Sequence, residues 1–552
     1  MNGKSSRKAL LIDGKTDLNE ICSIFDEKYR KILDDPNCQD GQVRQVVMGR
    51  QCNSGFLLSL ENINNAIYEF NIGTGWDRIH ANHFKFSGPI FRNLLTKLFS
   101  GFLEHSHIPL MMLNGEIRPV VKCNALSKND SNNYRPVMNS AMTLKILEYS
   151  LLPSMLKIIK LSEKQFGFRN NTGCLSAIAL VKETIFKYHT ENSNVHSAMV
   201  DCSKAFDRIN KNILFDKLVC TDLDPKIVNI IRCMYSNAYV STLFNGVKTE
   251  SWKIGNGVRQ GGILSPLLFS FYINEVLETI SNMPVGCSLP GFKTCVLAYA
   301  DDLIFLAPSG TGLQSMLDSL DELLSNLCLT INPQKSSYML FKHRGNKTGG
   351  TPDVRLSGIT LNRVSNCKYL GVILTENKSL GNDVDRVTNA FLKQFNAMYG
   401  KFHFSHKNVL YYLFKSYTSS FYGIETWFEQ IKCYELNKIG VSYHKAVKRL
   451  SGLNMWDSNH VACEIVQVPI FKHLMAKRLI CFWHNLCNSK SPCLITLKYY
   501  FRFKAQLFYK ISDLFARDYD VDISLNPLCA ILARIRFVER NEPRSHYVGA
   551  QD

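Results

Sequence analysis

Nowhere in the 552 residues do two cysteines stand in a CxxC pair, although the chain holds 18 of them. Their scatter along a long chain excludes a small secreted disulfide scaffold. It predicts free thiols in a reducing, intracellular setting, nucleus or cytoplasm. Long apolar runs are missing as well. The longest, Ile263 to Ile273, is interrupted by Ser265, Pro266 and Ser270 and is too short to span a bilayer. The opening MNGKSSRKALLIDGKTD lacks the apolar core of a secretory signal. No membrane association is therefore expected. No repeat of roughly 20–50 residues appears. There is no long low-complexity tract, and the clearest polar connectors are 345–351 (GNKTGGT) and 126–133 (LSKNDSNN). Acidic residues are scarce, 47 against 65 Lys and Arg, which leaves a net charge of +18. That excess points to a polyanionic partner rather than to any fold.

What is present can fold. At 45% hydrophobic and 11% aromatic, the chain can bury large cores, which excludes global disorder. Its length suits several domains or one multi-lobed enzyme. A short helical pattern runs through Leu18–Ile32. The charge is concentrated late: residues 391–510 hold 17 basic and 5 acidic residues, two thirds of the net excess in about a fifth of the chain. Apolar residues recur there at helical spacing, as in Tyr443, Ala446, Val447 and Leu450. Aromatics are interleaved (Tyr411, Tyr412, Phe414, Tyr417, Tyr443, Trp483). The pattern predicts basic amphipathic helices, a candidate nucleic-acid-facing lobe.

The sharpest local feature is CVLAYADDLIFL, Cys295–Leu306. Val296–Tyr299 and Leu303–Leu306 read as buried strands joined by a turn containing Asp301 and Asp302. Taken alone, an Asp-Asp pair is an ordinary turn former. A second segment, HSAMVDCSKAFD (His196–Asp207), ends a mostly apolar strand on Asp201. A carboxylate at the end of a buried strand is costly unless paired or metal-bound. If the two strands lie side by side, Asp201, Asp301 and Asp302 converge into a hard-oxygen site suited to Mg²⁺, with Mn²⁺ as a substitute. Between them, GNGVRQGGILSPLLFSFYIN (Gly255–Asn274) predicts a glycine-rich loop whose Arg259, Gln260 and Gly261-Gly262 backbone face a ligand. Ser265-Pro266 then opens a core helix.

The order VDCSKAFD, GVRQGGILSPLLFSFYIN, YADD resembles motifs A, B and C of reverse transcriptases, most closely those of non-LTR (LINE-type) retrotransposons. GWDRIHANHFK (Gly75–Lys85), RPVVKCNALSKNDSNNYRP (Arg118–Pro136), KQFGFR (Lys164–Arg169), LTINPQK (Leu329–Lys335) and CKYLGV (Cys367–Val372) resemble further segments of that family in the same order. Trp76 and Arg78 depart from it, standing where proline and glycine are usual.

The resemblance implies an α+β right-hand polymerase with an antiparallel palm sheet and a helical thumb. It implies an N-terminal extension at 1–59, fingers at 60–190, palm at 191–375, a basic helical thumb and following helices at 376–510, and a C-terminal tail at 511–552. The implied activity is RNA-directed DNA synthesis from dNTPs on a DNA primer paired with an RNA template. Asp201, Asp301 and Asp302 match the metal-binding carboxylates. Lys122 and Arg135 match triphosphate-neutralising residues. Phe206 matches the residue that blocks a ribose 2′-hydroxyl, Gln260 and Tyr299 match nucleotide-pocket residues, and Lys335 matches a lysine that faces pyrophosphate. An endonuclease is expected to be supplied elsewhere or lost. Cys481, His484, Cys487 and Cys493 fit a helical stripe better than a zinc knuckle, and His80 and His83 read as ordinary histidines. Two other readings stay open: a domesticated product that only binds RNA, and a group II intron maturase.

Overall fold

The computed structural model describes residues 11–35, 56–70, 73–122, 126–169, 172–343, 353–377, 379–418, 421–426 and 433–500. The expected tail at 511–552, the last residues of the basic stretch and the 345–351 connector lie outside the described residues.

Two five-stranded sheets are threaded alternately by the chain. Strands β1 (Gly115–Val121) and β2 (Tyr134–Ser140) begin the first, and β3 (Val195–Asp201) begins the second. The chain returns to the first sheet with β4 (Tyr239–Phe244), β5 (Val247–Lys248) and β6 (Trp252–Lys253). It completes the second with β7 (Val296–Tyr299), β8 (Asp302–Ala307), β9 (Ser337–Phe341) and β10 (Asn362–Arg363). In the first sheet β1 lies between antiparallel β2 and parallel β4. In the second, β3 is central, flanked by β9 and β8, with β7 outside β8. These inner pairings are all antiparallel.

Helix α1 (Leu18–Leu33) lies on the first sheet. Asp17 caps it by accepting from the amides of Asn19 and Glu20. Its apolar stripe, Ile21, Phe25 and Tyr29, packs with Ile117, Tyr134, Val240 and Trp252. Asp26 is buried on the same helix but well partnered. It accepts from Thr242 Oγ1 (2.7 Å), Thr249 Oγ1 (2.9 Å) and Trp252 Nε1 (2.9 Å), and pairs with Arg30. Those partners outweigh burial and hold its carboxyl below the usual range.

The second sheet is covered on both faces, which is why its strands read as unbroken apolar runs. Helix α2 (Met142–Ile158) contributes to the core on one face and α3 (Cys174–Thr190) to the core on the other. Helices α4 (Ser265–Tyr272) and α5 (Gly310–Asn326) extend the first of these layers. Alternate residues of β3 and β8 divide accordingly: Ala198, Val200, Leu303 and Phe305 face one core, and Val195, Ile304 and Leu306 the other.

The basic stretch is helical, as the spacing predicts. Helices α6 (Gly381–Phe402), α7 (Lys407–Tyr417), α8 (Cys433–Ser451) and α9 (Asn459–Val466) enclose a third core around Phe391, Phe395, Phe414 and Tyr443. The aromatics split in a way that the sequence pattern does not reveal. Phe414, Tyr443 and Trp483 are buried, whereas Tyr412 and Tyr417 are largely exposed beside Lys407 and Lys415. Helix α10 (Phe471–Asn488) spans two cores: Phe471 and Met475 belong to the third, and Ala476 through Leu486 to the core under the second sheet.

Candidate active site

The register of β3 on β8 sets the carboxylates. Asp201 lies directly opposite Asp302, with Val200 opposite Leu303 behind them. Directly opposed residues share a face. The two side chains therefore emerge together at one end of the sheet, and Asp301 occupies the adjoining turn. That turn needs a left-handed residue, and Ala300 adopts φ 56°. A buried glutamine holds it: Gln165 Oε1 accepts from the amides of Ala300 (2.9 Å) and Gly167 (3.0 Å). The main chain beside it is laced to β7 through Phe166 N to Ala298 O and Ala298 N to Lys164 O, each 2.8 Å. Gly167 must be glycine, since a Cβ there would sit 2.7 Å from the Ala300 nitrogen.

The three aspartates repel one another in a partly desolvated setting. Burial pushes the Asp302 carboxyl up to about 6, with Asp301 and Asp201 adding to the effect and Arg135 opposing it. Asp301 is also raised, by burial first, then by Asp201, against its own amide and Arg135. Opposite charge gathers at the rim. Lys335 Nζ lies 3.9 Å from Asp201 Oδ2, an exposed contact that does little for stability. Lys122, on the connection after β1, feels the charges of Lys335, Arg135, Asp130 and Asp201, and its Nζ donates to Asn132 O at 2.7 Å. Lys204, three residues beyond Asp201 at φ 49°, feels Lys122 and Lys335. Burial first, then crowding of like charge, lowers both Lys122 and Lys204 against the pull of Asp130, Asp201 and Asp207, so cations cluster at this rim.

Phe206 and Gln260 stand on one joint beside this cluster. The Val258 amide donates to Phe206 O (2.9 Å). The Phe206 ring stacks on Phe269 at 4.5 Å and meets Phe168 edge-on, itself remaining half-buried. Gln260 Nε2 donates to both oxygens of Asp207, at 2.7 and 2.8 Å. Arg259 corrects an expectation. Rather than facing a ligand it is buried, pairing with Glu148 at 3.1 Å and donating to Met234 O. Tyr299, the partner of Asp302 across β7 and β8, shares its face. A hydrogen bond with Cys174 and burial push the Tyr299 hydroxyl up to about 12. Arg78, where the resemblance expects glycine, adopts φ 61°, a left-handed backbone that glycine would take without strain.

The donor set suits a hard divalent cation: carboxylate oxygens, mutually repelling and incompletely neutralised. Among the described residues no three His, Cys, Asp or Glu side chains are already closed on one point, so the carboxylates would draw together on an ion. Along the stripe read as helical rather than zinc-binding, His484 is bonded to Asn488 one turn on, and Cys493 is buried beside Ser491.

A carboxylate-tipped antiparallel sheet, a cationic rim and a basic helical lobe form the layout of a right-hand polymerase, an α+β fold. The comparisons with known proteins agree. Residues 126–374 match the family described as reverse transcriptase (RNA-dependent DNA polymerase). The chain is 25% identical over 321 residues to the Pol polyprotein of type-2 retrotransposable element R2DM of Drosophila melanogaster, spanning 56% of this chain and 30% of that one. It is 25% identical over 375 residues to the RNA-directed DNA polymerase from mobile element jockey of the same organism, spanning 65% and 40%. It is 28% identical over 349 residues to the Pol polyprotein of type-1 retrotransposable element R2 of Nasonia vitripennis, spanning 57% and 32%. The chain thus spans less than half the length of these relatives. Apo telomerase from Candida tropicalis overlaps 82% of this chain and 78% of its own at 13% identity, but with a TM-score of only 0.36 the overlap is loose and nothing rests on it. Residues 126–374 are a reverse transcriptase domain, similar to those of non-LTR retrotransposons.

Four residues of the site were not legible in the motifs. Gln165 lies in the KQFGFR segment, yet its partner is the motif C turn 135 residues later. Lys204 lies inside motif A, where only its charge hints at a role. Asp207 and Glu148 reveal themselves only through Gln260 and Arg259.

Proposed function

We propose that this chain is an RNA-directed DNA polymerase that extends the 3′-hydroxyl of a DNA primer with dNTPs on an RNA template. The observation that carries the reading is the register placing Asp201 opposite Asp302, with Asp301 in the turn between β7 and β8, inside a reverse transcriptase domain. Asp201, Asp301 and Asp302 would hold Mg²⁺, or Mn²⁺ in its place, which supplies charge neutralisation to the attacking and leaving oxygens. The remaining work falls to the chain's own groups. Lys122, Arg135, Lys204 and Lys335 draw in the triphosphate and balance the departing pyrophosphate. Phe206, backed by Phe269, forms a wall against which a 2′-hydroxyl would collide. Gln260 and Tyr299 line the rest of the nucleotide pocket.

In this reading residues 60–190 serve as fingers, 191–375 as palm and 376–510 as a thumb whose exposed lysines and tyrosines meet the primer–template backbone. The test is primer extension by the purified chain on a primed RNA template with Mg²⁺. Incorporation that requires template, dNTP and divalent cation supports the reading. A folded preparation that extends no primer with either metal overturns it.

A further inference from the structure

Asp207 closes the VDCSKAFD segment, six residues past Asp201, and is 3% exposed. No Lys or Arg among the described residues lies within ion-pair distance of it, although the charges of Lys204 and Lys122 reach it. Lys211 and Arg259 line the same cavity, but both are committed elsewhere. Lys211 Nζ donates to Tyr235 O (2.8 Å) and Ile254 O (2.7 Å), and Arg259 to Glu148 and Met234 O. The partner of this buried carboxylate is the Gln260 side chain, which reaches both of its oxygens. A carboxylate accepts and does not donate, so the nitrogen of the Gln260 amide must face it and the carbonyl oxygen must face away.

The surrounding backbone leaves Gln260 little other freedom. Its own carbonyl accepts from Met138 N at 2.7 Å. Asn256 Nδ2 donates to Asp207 O at 2.6 Å, and Gly257, at φ +81°, lies so close that a Cβ would stand 2.6 Å from that oxygen. The side-chain amide of this half-buried residue, held by its nitrogen on Asp207, is the part that could still turn over.

We propose that Asp207 is a positioning residue that fixes the direction of the Gln260 amide, so that the nucleotide pocket is offered a hydrogen-bond acceptor at that point and never a donor. The inference rests on the polymerase reading for what Gln260 touches, whereas the amide direction follows from the contact of Nε2 with both oxygens of an ionised Asp207. Asp207→Asn keeps size and packing yet lets the pair form in either direction.

The test is steady-state primer extension at pH 8 with Asp207→Asn, Gln260→Ala, and the exchange Asp207→Asn with Gln260→Glu. Calorimetry of dNTP binding to the chain on a primed RNA template, and thermal melting, accompany it. The exchange restores a hydrogen-bonded pair with donor and acceptor reversed. Asp207→Asn should raise the dNTP KM about tenfold with kcat within about threefold, the loss of one charge-assisted hydrogen bond. In the exchange the introduced glutamate again turns an acceptor toward the pocket, so the KM should return to within about threefold of wild type. If the exchange melts as wild type does but its KM stays where Asp207→Asn put it, Asp207 is only a packing element and the inference falls. It also falls if dNTP binding by Asp207→Asn matches wild type in the calorimeter, whether or not the chain polymerises. A wild type that binds dNTP but extends no primer sinks the polymerase reading instead.

Discussion

Two sets of charge in this protein, one buried and one at the open end of the second sheet, are handled in opposite ways. Glu148 and Arg259, each with a side chain 1% exposed, form a closed network. One Glu148 oxygen takes the guanidinium, and the other accepts from the Ile263 amide at 2.6 Å and the Leu264 amide at 3.4 Å. Asp201, Asp301 and Asp302 form an open one. They share a surface, where the Asp201 charge adds to the raised pKa of Asp301 and both add to that of Asp302, and they meet positive charge at the rim. The closed network shapes a loop, because both oxygens of the buried carboxylate are taken, one by the guanidinium and one by the loop amides. An open one keeps free lone pairs and an unbalanced field, which is the condition for binding something that arrives later. Here the closed set aims the glycine-rich loop toward the open set.

The contrast can be broken at four points. The largest effect is expected from Asp301→Asn, which removes a carboxylate from the open set. Incorporation should fall at least about a thousandfold, roughly 4 kcal/mol of transition-state stabilisation. The melting temperature should hold or rise, because a repelling charge is gone. A large loss of stability would mean that the aspartates belong to the framework. Next comes Arg259→Met, which leaves Glu148 buried without its cation. Denaturant unfolding should show a loss of about 3–5 kcal/mol. Adding Glu148→Met should recover only part of it, because the Ile263 and Leu264 amides then lack their acceptor.

The third point is pH. Burial pushes Asp207 up to about 7, above its unfolded value, so the folded chain holds that proton more tightly. The stabilisation this gives is complete below about pH 4 and is lost as pH rises through about 7. The stability of Asp207→Asn relative to wild type should therefore climb by a few kcal/mol from pH 4 to pH 8, as read by denaturant melts. A flat difference curve would show that Asp207 is solvated. The smallest effect should come from Gln165→Ala, which orphans the Gly167 and Ala300 amides. It should cost about 1–3 kcal/mol and lower kcat about tenfold while template affinity stays the same. A normal kcat would show that the turn holds its shape unaided.

Much of this was legible in the sequence, for identifiable reasons. The runs VLAY and LIFLA announce strands because a sheet covered on both faces leaves no polar alternation to confuse them. Asp201 and Asp301 stand out as charges at the ends of such runs. The 3.6-residue spacing of Tyr443, Ala446, Val447 and Leu450 marks a helix whose buried side is as expected. What stayed hidden depends on contacts across the fold. Arg259 and Gln260 are neighbours in a loop with no periodic pattern, so nothing local says that one turns inward and the other outward. The answer lies with Glu148, 111 residues upstream. The exposed Tyr412 and the buried Phe414 are likewise sorted by the packing of α7 on α6 and α8, not by composition.

Helix α10 carries a mechanical consequence. Phe471 and Met475 are anchored among the basic helices, while the remainder of the same rod is buried beneath the carboxylate sheet. A continuous helix bends little without proline or a break in its hydrogen bonds, and none of its residues is proline. Opening the basic lobe away from the sheet must therefore flex α10 or tear it from one core. If the chain extends a primer as proposed, its grip on the duplex would be geared to the floor on which that end is extended, with α10 as the shared axle.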